Sequence, residues 1–194
     1  MRRLVFLLEE RSMKVLLEGL LPRFFPTLQF LCIVHEGKQD LEKSIPRKLK
    51  AWAEPDVRFI VLRDRDAEDC KILKRRLLGL CKKAGRPETI VRIACRELEA
   101  WYLGEPGALA TAYGDERLRG LGEKERFRDP DEVVRPSEAL EELVPAFQKV
   151  AGARLMADLL SREANRSRSF QVLMEGIERE LDKQPPSKKI RRKV

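Results

Sequence analysis

Val57-Arg58-Phe59-Ile60-Val61-Leu62 runs straight into Arg63-Asp64-Arg65-Asp66. The first six residues form a short, mostly apolar run, which reads as a strand covered on both faces. The next four are all charged, so the chain must leave the core there. Three other segments repeat this pattern. Leu4–Leu8 ends in Glu9-Glu10, the stretch TLQFLCIVH (27–35) is followed by Gly37, and TIVRIAC (89–95) runs into Arg96-Glu97-Leu98-Glu99.

Helical patterns separate these runs. Ser12 is placed to cap a helix with apolar residues Val15, Leu16, Leu17, Leu20 and Leu21, and Pro22 and Pro26 are expected to end it. A polar helix is expected over Leu41–Trp52, with a kink or late start at Pro46. The segment from Glu68 to Lys83 places Ile72, Leu73, Leu77, Leu80 and Cys81 on one face. Its other face carries Lys71, Lys74, Arg75, Arg76, Lys82 and Lys83, and Gly85 and Pro87 stop it. Strands alternating with helices at this spacing predict βαβ units. The fold class is therefore α/β, a mostly parallel sheet flanked by helices. Beyond Gly104 the pattern changes. Residues 105–136 are rich in glycine, proline and charge, and two helices are expected over 137–150 and 153–182, with a break near Asn165–Ser169. The expected organisation is an α/β domain over 1–104, a mainly helical C-terminal extension over 105–182 packed on it, and a disordered basic tail over 183–194.

Composition narrows the class. The 194 residues are 43% hydrophobic and 37% charged, with 40 Lys and Arg against 32 Asp and Glu, which excludes a wholly disordered or collagen-like chain. The net charge of +8 favours an anionic partner, nucleic acid being the commonest, yet six of those charges lie in Lys183–Val194, so the body is nearly neutral. The apolar run from Phe24 to Val34 has eleven residues against the roughly 20 needed to span a bilayer. Leu4–Leu8 is shorter than the core of a secretion signal, so a cytoplasmic location is expected. Cys32, Cys70, Cys81 and Cys95 lack a CxxC spacing and His35 is the only histidine, so neither a structural zinc site nor a disulfide is expected.

In a parallel sheet, functional residues gather beyond the carboxyl ends of the strands. Here three such ends carry pairs of acids: Glu9 and Glu10, Asp64 and Asp66, Glu97 and Glu99. Side by side, these carboxylates repel one another. A hard divalent cation resolves the repulsion, and Mg²⁺ needs only a few carboxylates because it keeps several waters. Such an ion also serves phosphodiester hydrolysis. The competing possibility is that the acids pair with their sequence neighbours Arg11, Arg63, Arg65 and Arg96.

Glu9 closing the first strand, Gly37 after the second and Asp64-x-Asp66 closing the third resemble the toprim pattern of a glutamate, a glycine and a DxD. The segments VRIACRELEAWYLG and HEGKQDLEKSIPRKLKAW further resemble the bacterial DUF4276 family, related to nucleases of the overcoming-lysogenization-defect type. The resemblance covers roughly residues 4–104. It implies that Glu9, Asp64 and Asp66 bind Mg²⁺ or Mn²⁺, that Glu9 acts as general acid or base, and that Glu99 or Glu97 helps hold a second ion. Many toprim proteins have glycine where this chain has Glu10, which leaves Glu9 and Glu10 as alternatives for the principal ligand. The resemblance further implies a nuclease acting on DNA or RNA in phage defence. A separate ABC-type ATPase subunit would regulate it, since the chain lacks a GxxxxGK[ST] loop. The alternatives are a non-catalytic nucleic-acid-binding or partner-docking subunit, and a small-molecule phosphoesterase.

Further candidates surround this set. Lys38 can reach a phosphate, and His35 at a strand end reads more naturally as a hydrogen-bonding residue. Lys71, Lys74 and Arg75 begin beside Asp66 and can meet a nucleic-acid backbone. Arg166 and Arg168 open the last helical stretch, where a phosphate contact at a helix N-terminus is expected. Trp52, Leu98 and Trp101 read as core.

Overall fold

The computed structural model describes residues 3–183, so most of the expected basic tail, 184–194, lies outside the described residues. Strands β1 (Arg3–Leu8), β2 (Phe30–Val34), β3 (Val57–Asp64) and β4 (Ile90–Ala94) form one all-parallel sheet in the order β2-β1-β3-β4. Leu8 pairs with Val34 on one side and Leu62 on the other, so β1 and β3 end at nearly the same level.

The alternation of side chains explains why these strands look uniformly apolar. Leu4, Phe6 and Leu8 of β1, with Ile60 and Leu62 of β3, face one buried cluster, and Val5, Leu7, Phe59 and Val61 face another. Helices α2 (Lys38–Ala51) and α3 (Cys70–Lys83) cover the second face through Leu41, Ile45, Leu49, Leu73, Leu77 and Cys81. The first face is covered by α1 (Arg11–Phe24) and by the C-terminal helices. Because β1 leads outward to β2 and the chain then returns across β1 to β3, the topological switch point lies between β1 and β3. That crevice is where parallel sheets of this kind place their ligands.

Several boundaries differ from the sequence expectation for local reasons. Helix α1 begins at Arg11, one residue before the expected cap. Extended Glu10 precedes it, and Ser12, inside the helix, donates its hydroxyl to the Glu10 carboxylate. Pro22 lies within α1, which ends at Phe24. Helix α2 starts at Lys38 and passes through Pro46, because a proline removes only one bond of the ladder. Gly37 makes the early start possible. Its φ of 85° suits glycine, and in that conformation its N–H reaches the Glu9 carbonyl at 3.1 Å. Ile72 is 59% exposed, so the buried face of α3 is Leu73, Leu77 and Cys81 alone.

After β4 come α4 (Ala100–Leu103), α5 (Pro106–Tyr113), a run of 3₁₀ turns, and α6 (Pro136–Leu143), α7 (Lys149–Leu159) and α8 (Arg168–Asp182). The two long helices expected over 137–182 are thus three. Helix α7 lies along α1, where Gly19 faces Ala157 so closely that an added Cβ would stand 2.7 Å from the alanine's own. Arg23 of α1 donates to the Ala157 and Leu160 carbonyls at 2.5 and 3.1 Å, closing the end of α7. No helix among the described residues is long and apolar enough to cross a membrane.

Candidate metal centre at the sheet edge

The ends of β1 and β3 are tied together. Glu9 Oε2 accepts the Asp64 backbone N–H at 3.2 Å across the switch point. Glu9 also faces the fully buried Arg63, whose Nε is 3.7 Å from the same oxygen. Arg63 reaches Glu42 at 3.7 Å and Glu68 at 2.6 Å as well, so one cation serves three acids. Burial still dominates at Glu9 and raises its pKa to about 6, against the lowering effect of Arg63.

Deeper in the crevice stand Asp64 and Glu99, both buried. Asp64 Oδ1 and both Glu99 carboxylate oxygens are out of reach of solvent and have no hydrogen-bond partner. Burial, followed by the charges of Glu99, Glu10 and Glu9, pushes the Asp64 carboxyl well above its usual range. Burial likewise raises Glu99 to about 7, opposed by Lys149 and reinforced by Glu10.

Lys149, the first residue of α7, sends its ammonium into this group. Its Nζ lies 3.7 Å from Glu10 and 3.8 Å from Glu99, the two nearest anions after burial in setting its proton affinity. Beneath them the buried Tyr102 hydroxyl has no partner, and burial with the Glu99 charge holds it strongly protonated.

The other predicted residues separate into two sets. Asp66 is at the rim, in the left-handed conformation (φ 53°) that aspartate tolerates, and Lys38 Nζ pairs with it at 3.1 Å. Glu97 turns away from the crevice, and its carboxylate accepts the Ser137 N–H at 2.9 Å in the first turn of α6. His35 is buried with Nδ1 2.9 Å from the Leu8 carbonyl. Lys71, Lys74 and Arg75 are exposed on α3. Arg168 pairs with Glu175 at 2.7 Å.

The expected phosphate contact at the start of α8 gives way to an internal anion. Asp131 accepts the Ser169 N–H at 2.7 Å and the hydroxyls of Ser167 and Ser169, so the helix terminus is already filled by a carboxylate. Arg166 there donates to the carbonyls of Arg128 and Phe127 at 3.0 and 3.3 Å, which bind it to the chain itself. Of the neighbouring arginines weighed as partners of the acids, Arg63 takes that role, whereas Arg65 and Arg96 turn to Glu132.

Among the described residues, no three His, Cys, Asp or Glu side chains form a ready metal-binding group. The carboxylates instead share Arg63 and Lys149. The donor set nevertheless fits a hard dication. The orphaned acceptors Asp64 Oδ1 and both Glu99 oxygens are carboxylate oxygens in a low-dielectric crevice, and burial first, then neighbouring carboxylates, raises their proton affinities. Lys149 and Tyr102 escaped the sequence reading because only packing of α7 and α4 carries them to the strand ends.

A parallel sheet in this strand order, with acids closing β1 and β3 and a glycine after β2, is a toprim-like α/β fold. The profile of DUF4276, a domain of unknown function, matches residues 8–178, and the chain belongs to that family. Among solved structures, it is similar to the C-terminal region of the Burkholderia pseudomallei OLD protein. The TM-score is 0.61 at 17% identity, covering 93% of this chain and 99% of the other. It is also similar to the C-terminal region of the Xanthomonas campestris pv. campestris OLD protein, with a TM-score of 0.54 at 16% identity, covering 93% and 96% of the two chains. No curated protein matches the sequence.

Proposed function

We propose that the chain is a divalent-metal-dependent nuclease that hydrolyses phosphodiester bonds in DNA or RNA. The observation that carries this reading is the pair of buried carboxylates at the switch point of the sheet, where Asp64 Oδ1 and both Glu99 oxygens lack hydrogen-bond partners. Glu9, Asp64 and Asp66 would hold one Mg²⁺ or Mn²⁺, and Glu99 with Glu10 a second. Glu97, engaged with Ser137, positions α6 instead. The bound ions would lower the pKa of a water and neutralise charge on the phosphoryl oxygens.

The chain's own groups divide the remaining work. Glu9, at the end of β1 and bonded to the Asp64 N–H across the switch point, can take a proton from the attacking water. Lys149 balances Glu10 and Glu99 in the absence of substrate and can turn its ammonium to a non-bridging phosphate oxygen when they are otherwise neutralised. Lys38 does the same at the Asp66 rim. The exposed Lys71, Lys74 and Arg75 would draw a polyanion toward that rim. In this reading the protein works in the cytoplasm in phage defence, and a separate ABC-type ATPase subunit supplies regulation.

The test is cleavage of labelled DNA and RNA with Mg²⁺ or Mn²⁺, repeated with Asp64→Ala and Asp66→Ala. Divalent-dependent cleavage lost in both folded variants supports the nuclease. Binding without turnover by the parent chain overturns it in favour of a binding subunit. Phosphate release from small esters but not polymers overturns it in favour of a phosphoesterase.

A further inference from the structure

Beside the rim, Arg65 and Arg96 converge on one exposed carboxylate. Arg96 Nη2 lies 3.4 Å from Glu132 Oε2, and Arg65 Nη1 lies 3.9 Å from Glu132 Oε1. The two arginine side chains are mostly covered, at 16% and 28% exposed, whereas the Glu132 side chain is 63% exposed. Both arginine Nε atoms are buried with no hydrogen-bond partner. Each guanidinium carries five donors, so one long contact to a solvated acid leaves most of its capacity unused.

The backbone fixes both arginines. Arg65 N–H donates to the Ala94 carbonyl at 3.0 Å, and Asp66 N–H donates to the Arg96 carbonyl at 2.9 Å. These bonds extend the β3–β4 pairing beyond the sheet and hold the two side chains next to Asp66. Glu132 ends a 3₁₀ turn in which the preceding residue, Asp131, is anchored at the start of α8, so its backbone is fixed while its side chain reaches out into solvent. A cavity of about 290 Å³ opens here, lined by Asp66, Arg96, Glu97, Val134, Arg135 and Glu138. Glu97 and Glu138 are engaged with Ser137 and Arg135, which leaves Arg96 as the cation in the cavity wall held only by the exposed Glu132.

We propose that Arg65 and Arg96 form a clamp for a backbone phosphate of the nucleic acid, next to the one that is cut, and that Glu132 occupies the clamp until substrate arrives. Two guanidinium groups meeting at one point match the two non-bridging oxygens of a phosphodiester. Arg96 lines one cavity with Asp66, so a phosphate held there lies beside a candidate ion ligand. Glu132 is a single exposed carboxylate, hydrogen-bonded to Arg96 at 3.4 Å and only ion-paired with Arg65 at 3.9 Å, so a phosphate can displace it. The inference takes the identity of the polymer from the nuclease reading, but it is tested by binding and not by cleavage.

The experiment measures affinity for a short labelled DNA duplex, and for RNA of the same sequence, in EDTA over a series of salt concentrations. Arg65→Gln/Arg96→Gln is expected to weaken binding roughly tenfold at about 0.1 M salt and to reduce the salt slope on duplex DNA by about 0.9, the loss of one phosphate contact. Glu132→Gln is expected to strengthen binding several-fold, and Glu138→Gln, which removes an equal charge from the wall of the neighbouring cavity, far less. Thermal melting checks that each variant is folded, and Glu132→Gln carries the test alone if the double variant is not. An unchanged salt slope in a folded double variant, or equal effects of Glu132→Gln and Glu138→Gln, overturns the clamp. So does a parent chain that binds neither polymer. If the variants behave as expected while no divalent ion supports cleavage, the clamp stands and the nuclease reading fails.

Discussion

The ammonium of Lys149 lies 3.8 Å from Oε1 of Glu99, joining the first residue of α7 to the residue that precedes α4. Glu99 is fully buried and its oxygens have no hydrogen-bond partner, so this cation is its main compensation. The same ammonium faces Glu10 at 3.7 Å. One flexible side chain thus offsets charge from two ends of the crevice.

Replacing that cation should therefore expose the repulsion. Lys149→Met is expected to lower stability at pH 7.5 by about 1–2 kcal/mol. The partial exposure of the lysine keeps the loss below that of a fully buried pair. Melting with and without Mn²⁺ checks it: the ion should restore more stability to the variant than to the parent chain.

The raised carboxyl groups set the direction of the pH dependence. Glu99 (about 7) and Glu9 (about 6) have folded-state pKa values above that of a free glutamate. The folded state therefore binds more protons than the unfolded chain between roughly pH 4.5 and 7. Stability from these groups is complete below the unfolded pKa and is lost as pH rises through the folded values. For Glu99 the loss is on the order of 3 kcal/mol. In EDTA the melting temperature should rise from pH 7.5 to pH 5.5, and Glu99→Gln should flatten the rise.

Arg63 is the more critical of the two internal cations. It is fully buried and pairs with Glu68 at 2.6 Å while facing Glu9 and Glu42. Arg63→Ala is expected to cost about 3–5 kcal/mol, because it leaves Glu9 without its counter-charge in the crevice. Urea denaturation measures the loss, and Arg63→Lys should recover part of it.

Asp131 should prove structural. It accepts the Ser169 N–H at 2.7 Å together with two serine hydroxyls at the start of α8. Asp131→Ala is expected to cost about 2–3 kcal/mol and to increase amide exchange in the first turn of α8.

Close contact between α1 and α7 gives a last test. A methyl group added at Gly19 would stand 2.7 Å from the Ala157 Cβ, so Gly19→Ala is expected to cost about 1–3 kcal/mol by overpacking. Since α7 also carries Lys149, the variant should lower the apparent proton affinity of that lysine, read by NMR titration.

The strands were legible because buried parallel strands are apolar on both faces, and each run ended in charge. The acids of β1 and β3 could be placed on one edge for the same reason. What remained hidden depended on packing. Spacing alone left Glu97 and Glu99 equivalent, and only the turn after β4 buries Glu99 and gives Glu97 to Ser137. Lys149 stands far along the chain from every acid it meets, at the expected end of one helix (137–150), whereas it opens the next. The start of α8 looked open to a phosphate because nothing in NRSRSF (165–170) reveals that Asp131 already lies there.

The contact of α7 with α1 bears on how the chain can be divided. Leu16, Leu17 and Leu20 of α1 share a buried cluster with Ala153, Met156 and Ala157 of α7 and with Phe170 and Leu173 of α8. A fragment severed at Gly104 would retain every strand, yet one side of its sheet would be left with an uncovered greasy helix. It would also lack the amine that quiets the crevice. Any working piece of this protein must therefore extend through the last helix.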